Sequence, residues 1–459
     1  MKTLIKNGLL VQAEYCARAD LLIEDGRIAG IAPEIKDSDA ELYDAEGCMV
    51  FPGFIDVHTH LDISIGACHT ADDFASGSRA ALLGGTTTVL DFATQERRGT
   101  LKAALAKWHD LAQDKAWCDY GFHMAVTHWS KDVADELPKL VEEGISSFKV
   151  YLAYKHLRLT DAAIFELSRR LRLLGGLLMA HCENGDLVDC LAKGLIAEGQ
   201  RDPAAHALSR PPYVEAEAVG RALSIAEAAG TVLYIVHLSS ARALDAARSA
   251  RARGQKLWLE TCPQYLLFDD SLYTGNFEET SKYVCSPPLR SLADKKALWQ
   301  AMLQGELDVI STDHCSFNVA GQKRLGHRDF RRIPNGLPGV EHRPLLMYSR
   351  SVAEGKLSPS QLTRLAAENP ARIFGLYPRK GVLREGSDAD IVIIEPDFPH
   401  AIEAKEQWQN VDYTPYEGME LTARIKAVWL RGQMMAEEGR LLTDKPQGRY
   451  IARGPSAGA

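Results

Sequence analysis

His58 and His60 stand one residue apart at the end of the apolar run GFIDVHTHLD. Alternation along a strand sends residues i and i+2 to the same side. The two imidazoles can therefore grip one cation, or they can form a hydrogen-bonded strand end. Other chemistry-bearing residues occupy or finish similar runs: Lys149 in SSFKVYLAYK, His181 in GGLLMAH, His237 in TVLYIVH and Asp313 in LDVISTD. Imidazoles with a carboxylate suit zinc or a related divalent ion such as manganese. Lys149 is the misfit, because an ammonium in an apolar strand is costly unless neutral or paired, and beside cations it would repel them. A neutral amine that adds carbon dioxide becomes a carbamate, an anion whose two oxygens can bridge two ions. A lysine that snorkels or meets a carboxylate is the alternative. The remaining runs end near Asp91, His128 and Glu260.

Something must bring these residues together. Eight short apolar runs recur, each followed by a helix-like stretch: FPGFIDV, TTTVLDF, GFHMAVT, ISSFKVY, GGLLMAH, TVLYIVH, QKLWLET and LDVISTD. Continuous apolar strands alternating with amphipathic helices imply a parallel sheet. The repeat predicts an α/β fold, a (β/α)8 TIM-like barrel over residues 52–377, whose active site lies at the C-terminal ends of the strands. A doubly wound sheet is the competitor, but no GxGxxG follows the first strand. Residues 1–51 and 378–440 have a different texture of short strands and turns, with Gly26 and Gly47 following acidic residues as in hairpins. Both chain ends are expected to build one small β-sandwich, with residues 441–459 as a polar C-terminal tail on the surface or reaching a neighbouring subunit.

The chain has 459 residues, a formal net charge of −8 and 46% apolar residues. Its mild acidity argues against nucleic acid as a partner. No apolar run approaches the ~18 residues of a membrane span, and MKTLIKNGLLVQ lacks the apolar core of a signal peptide. Nine cysteines without a CxxC spacing read as reduced thiols in a cytoplasmic protein.

These residues together resemble the hydantoinase and dihydropyrimidinase family of the amidohydrolase superfamily, particularly bacterial D-phenylhydantoinases. The resemblance runs along almost the whole chain, through GFIDVHTHLD, FKVYLAYK, AHCENGD, YIVHLSS, ETCPQYLLFDD, VCSPPLR, STDHCSF, PNGLPGVE and NPARIFGLYPRKG. It implies two divalent ions, zinc with manganese or cobalt as alternatives. His58, His60 and Asp313 would hold the more buried ion, His181 and His237 the second, and a carboxylated Lys149 would bridge them. His314 is kept as a neighbour of Asp313, because the matching motif uses the aspartate. The implied reaction is hydrolytic ring opening of 5-substituted hydantoins or 5,6-dihydropyrimidines to N-carbamoyl amino acids by a metal-bridging hydroxide, with Asp313 as general base and then acid. Tyr154 would stabilise the oxyanion, and backbone groups at Ser286 and Asn335 would bind the small-molecule substrate. A homotetramer is also implied.

Dihydroorotases carry an arginine two residues after their His-x-His, where this chain has Asp62; an acid there repels a carboxylated ring. Allantoinase remains an alternative. So does a non-catalytic assembly protein of the same fold, although such relatives have lost metal ligands that this chain retains. Ile63 and Ile65 are candidates for an apolar lip, and Leu157 and Leu159 for an apolar wall. Many hydantoinases place an aromatic near the position of Arg158, so this chain departs from them there. Cys315 reads as a small packing residue rather than a nucleophile.

Overall fold

The computed structural model describes residues 2–66 and 68–457. Eight parallel strands form the central sheet: β1 (Phe54–Thr59), β2 (Thr86–Thr94), β3 (Asp119–Ala125), β4 (Ser147–Tyr151), β5 (Leu177–His181), β6 (Leu233–Ile235), β7 (Leu257–Thr261) and β8 (Val309–Ile310). Each pairs with the next in sequence order. The seam between first and last closes just beyond β8, where His314 N–H donates to His58 O (3.3 Å) and His60 N–H donates to His314 O (2.8 Å). The result is the (β/α)8 barrel expected from the eight runs.

Helices return outside the barrel after most strands. Several start where a short polar side chain accepts from the amide three residues on, as at Asp73, Thr100, Ser130, Thr160 and Ser291; this satisfies a donor that a helix start leaves free. The barrel's own apolar cluster joins Ile55, Val57, Leu90, Phe92, Leu177, Met179 and Tyr234 with Phe374 and Ile451. No helix among the described residues is long and apolar enough to cross a membrane.

Both chain ends form two further sheets. One contains Lys2–Lys6, Asp20–Glu24, Arg27–Ala32 and Glu41–Asp44; the other joins Leu9–Val11, Cys16–Arg18 and Met49–Pro52 to Ile391–Ala401, Glu420–Leu430, Gln433–Glu437 and Arg440–Leu441. Ile5, Leu21, Ile23, Val50, Ile391, Ile393 and Trp429 pack between them. Asp25 and Gly26, both in the left-handed region, make a tight hairpin. Gly47 does not turn a hairpin, because the strands on either side of it belong to different sheets.

Strands β6 and β8 stop short of His237 and Asp313. Both residues have positive φ, 39° and 53°, which a strand cannot accommodate. The tail also departs from a surface segment. Ile451 N–H donates to Tyr120 O (2.7 Å) and Tyr120 N–H to Arg449 O (3.0 Å), while Ile451, Arg453 and Ser456 are buried. Ile451 thus seats on the barrel's apolar cluster beside Phe374. Replacing Ile451 with alanine is expected to lower stability by about 2–5 kcal/mol, read as an earlier denaturant midpoint; an unchanged midpoint would remove the tail from the core.

Candidate active site

A cavity of about 1050 Å³ opens at the C-terminal ends of the strands, with His60, Lys149, His181, His237 and Asp313 among its lining residues. His58 and His60 point the same way, as their spacing requires: Nε2 of each reaches the same Asp313 oxygen, at 3.0 and 3.2 Å. One ligand atom from each of these three residues lies within 4.8 Å of the others. His181 Nδ1 and His237 Nε2 face one another at 2.9 Å, and the rings of His58 and His237 stack 5.4 Å apart. Lys149 lies among them, with Nζ 2.9 Å from His58 Nε2 and 4.1 Å from the centre of the Phe92 ring.

Buried carboxylates decide which ring nitrogen faces the cluster. Glu260 accepts from His58 Nδ1 (2.7 Å), leaving the Nε2 lone pair inward, and also takes the His237 backbone N–H and the Tyr234 hydroxyl. Glu183 accepts from His181 Nε2 (2.8 Å), leaving Nδ1 inward, and is braced by Arg210. Burial opposes the charge on Glu183, yet Arg210 and then His181 draw its carboxyl down to about 2. Carboxylate–histidine pairs of this kind fix the tautomer and raise ligand basicity. Asp91 positions the stretch around His60, accepting from Thr59 Oγ1 (2.9 Å), Leu61 N (2.8 Å) and Trp108 Nε1 (3.0 Å).

The charge states of His60 and Asp313 suit cation binding. Burial lowers His60 to about 4, so its imidazole is neutral near pH 7. Burial also opposes ionisation of Asp313, but His58 and His60 hold its carboxyl well below the usual range. Burial pushes the Lys149 ammonium down to about 8, against the pull of Asp313 and Glu260. The His58, His60 and Asp313 donors therefore fit a divalent ion, provided Lys149 is not an ammonium: its Nζ uses the His58 lone pair that an ion would take.

Tyr154, with φ +62°, lies with its ring 5.1 Å from that of His181. Burial raises its phenol to about 12, which keeps the proton available for donation. Positive φ at Tyr154, His237 and Asp313 costs on the order of 1–3 kcal/mol each, and all three line the cavity. Ser286 and Asn335 line it too, and Asn335 Oδ1 has no hydrogen-bond partner among the described residues. Ile63, Ile65 and Leu157 also line the cavity. Leu159 does not; it packs on the hydrophobic core. Arg158 turns outward to Asp186 (2.7 Å), while His156 faces the cavity. Asp62 pairs with His69 (3.2 Å) and accepts from Phe74 N (3.0 Å).

His314 is excluded as a ligand by its partners. Its Nε2 meets Asp72 at 3.1 Å, and its Nδ1 accepts from Gly339 N (3.1 Å) and Val340 N (3.3 Å). Cys315 is buried beside Cys68 and Phe317, and burial pushes its thiol well up, as fits a packing residue. His128 lies apart from the cluster, its backbone N–H held by Gln95. The orienting roles of Glu183, Arg210 and Glu260 escape sequence reasoning. Glu183 had a signal, standing two residues after His181; Glu260 showed itself as a strand-end acid without a role; Arg210 had none.

Residues 49–435 match the amidohydrolase family, and the chain belongs to that family. Over 99% of its length it is 44% identical to a D-hydantoinase of Geobacillus stearothermophilus, covering 97% of that protein. It is 42% identical to a D-phenylhydantoinase of Escherichia coli O127:H6, over 99% of both chains. A solved dihydropyrimidinase from Brevibacillus agri superposes with a TM-score of 0.98 at 41% identity, over 100% of both chains.

Substituting Glu183 by glutamine keeps its shape but removes the charged acceptor. Divalent-ion affinity, measured by competition with a chelator, is expected to fall about 10- to 100-fold; unchanged affinity would contradict an orienting role.

Proposed function

We propose that this protein hydrolyses cyclic amides, 5-substituted hydantoins and 5,6-dihydropyrimidines, to N-carbamoyl amino acids. The observation that carries this reading is Lys149: a buried lysine 2.9 Å from His58 Nε2 that shares one cavity with His60, His181, His237 and Asp313. As a carbamate it would turn a repulsive cation into a shared anionic ligand. His58, His60 and Asp313 would then hold one divalent ion and His181 and His237 the second. Such ions supply an activated water and a polarised substrate carbonyl.

The chain's own groups do the rest. Asp313, ionised at neutral pH, accepts the proton of the attacking water and passes it to the departing ring nitrogen. The Tyr154 hydroxyl donates to the oxygen on which charge develops. Backbone groups at Ser286 and Asn335 hold the ring's amide face, with Ile63, Ile65 and Leu157 against the 5-substituent. The same reading has zinc as the metal and a cytoplasmic homotetramer as the working form; metal analysis and light scattering check the first and the assembly.

The deciding measurement is ring opening of hydantoin, phenylhydantoin, dihydrouracil and allantoin by the metal-loaded protein. Turnover of hydantoins or dihydrouracil supports the reading. Preference for allantoin shifts the substrate, and no turnover of any ring by folded, metal-loaded protein overturns it. Tyr154→Phe is expected to lower kcat about 10²- to 10³-fold with metal content unchanged. Intact mass under non-acidic conditions is expected to show one additional carboxyl group, absent from Lys149→Ala. A plain lysine in an active, metal-loaded protein contradicts the carbamate.

A further inference from the structure

Lys323 opens the short turn Lys323–Gly326 in a polar stretch, NVAGQKRLGHRD, that reads as exposed loop. Instead its side chain is fully buried. Its ammonium has three protons, and three backbone carbonyls receive them: Val284 O at 3.1 Å, Pro334 O at 3.2 Å and Gly336 O at 3.0 Å. The titratable neighbours acting on it are the thiols of Cys285 and Cys315, and burial pushes the ammonium down to about 8. A buried cation facing carbonyl dipoles rather than a carboxylate is an expensive way to fill space.

The three carbonyls belong to two segments that flank the cavity. Val284 lies two residues before Ser286, and Pro334 and Gly336 enclose Asn335. The segments also touch directly, since Gly336 N–H donates to Val284 O at 3.0 Å. Around Ser286 the next carbonyls have other anchors: Cys285 O takes His206 Nε2 (2.8 Å) and Pro287 O takes the Tyr265 hydroxyl (2.7 Å). On the Asn335 side, both flanking carbonyls depend on Lys323. The clamp is itself held: Lys323 N–H donates to Asn318 O (2.9 Å), and Asp412 accepts from Val319 N and Ala320 N (2.7 and 2.9 Å).

We propose that Lys323 is a positioning residue for substrate: its three hydrogen bonds lock the Ser286 and Asn335 segments at one separation, so that both meet the cyclic amide together. This rests on the reading of those segments as substrate contacts.

The test is steady-state kinetics on the metal-loaded full chain with dihydrouracil or phenylhydantoin, whichever it turns over. Lys323→Met is expected to raise KM about 10- to 100-fold, the scale of a small misplacement, with kcat within about threefold of the parent and metal content unchanged. Asn335→Gly, which removes the side chain and loosens the same segment, is expected to raise KM as well. The double variant is expected to fall short of the product of the two effects, because both act through one loop. If Asn335→Gly raises KM but Lys323→Met does not, or if the effects multiply fully, the clamp is overturned. If Asn335→Gly leaves KM unchanged, the substrate-contact reading fails first and takes the clamp with it. Lys323→Gln, similar in length and still a donor, carries the same comparisons if Lys323→Met does not fold.

Discussion

The seam between β1 and the segment after β8 is the constraint on which the site depends. Two backbone hydrogen bonds cross it, from His314 N–H to His58 O and from His60 N–H to His314 O. Buried side chains staple the same seam lower down. Arg343 donates to Ile55 O and Ile310 O, both at 2.8 Å, and Thr312 Oγ1 donates to Asp56 Oδ2 at 2.7 Å. Closing the barrel here places Asp313 opposite the His-x-His pair. Its left-handed backbone then swings the carboxylate onto both imidazoles instead of continuing the strand. The convergence of His58, His60 and Asp313 is thus a consequence of barrel closure.

Electrostatics completes what closure begins. Bare imidazoles offer either nitrogen, and a cation site needs the chosen lone pairs to converge. Glu260 and Glu183, buried behind His58 and His181, make that choice by accepting the opposite N–H. Burying these acids is tolerable because each has several donors: Glu260 takes the His237 amide and Tyr234 hydroxyl, and Glu183 takes Arg210. The same burial that keeps His60 neutral weakens the protonation of Lys149, so one low-dielectric environment shifts both groups toward their uncharged forms.

The rest of the cavity wall is built differently. His58, His60, Lys149, His181, His237 and Asp313 sit on or just past strands, whereas Tyr154, Ser286 and Asn335 sit on loops between or after them. Loops at a barrel mouth carry function while the strands supply rigidity. The loops carrying Ser286 and Asn335 are tied by side-chain hydrogen bonds from His206, Tyr265 and Lys323 to their carbonyls. Beneath the barrel, the tail that looks featureless in composition packs Ile451 beside Phe374 and so covers the opposite end of the same core.

By itself the sequence determined the eight strands, the outer helices, the shared sandwich and the cluster of His58, His60, Lys149, His181, His237 and Asp313. Apolar runs, two-residue spacing and polar strand ends are local, and the barrel converts their order into position. Tertiary structure alone decided which nitrogen each histidine presents, that His314 is spent on Asp72 and two amides, that Leu159 joins the core while Leu157 lines the cavity, and that Lys323 is buried. Those facts depend on partners tens to hundreds of residues away, as His58 depends on Glu260. Hydrogen bonding and burial between such distant groups leave no periodic mark on the chain; they exist only once the barrel has closed.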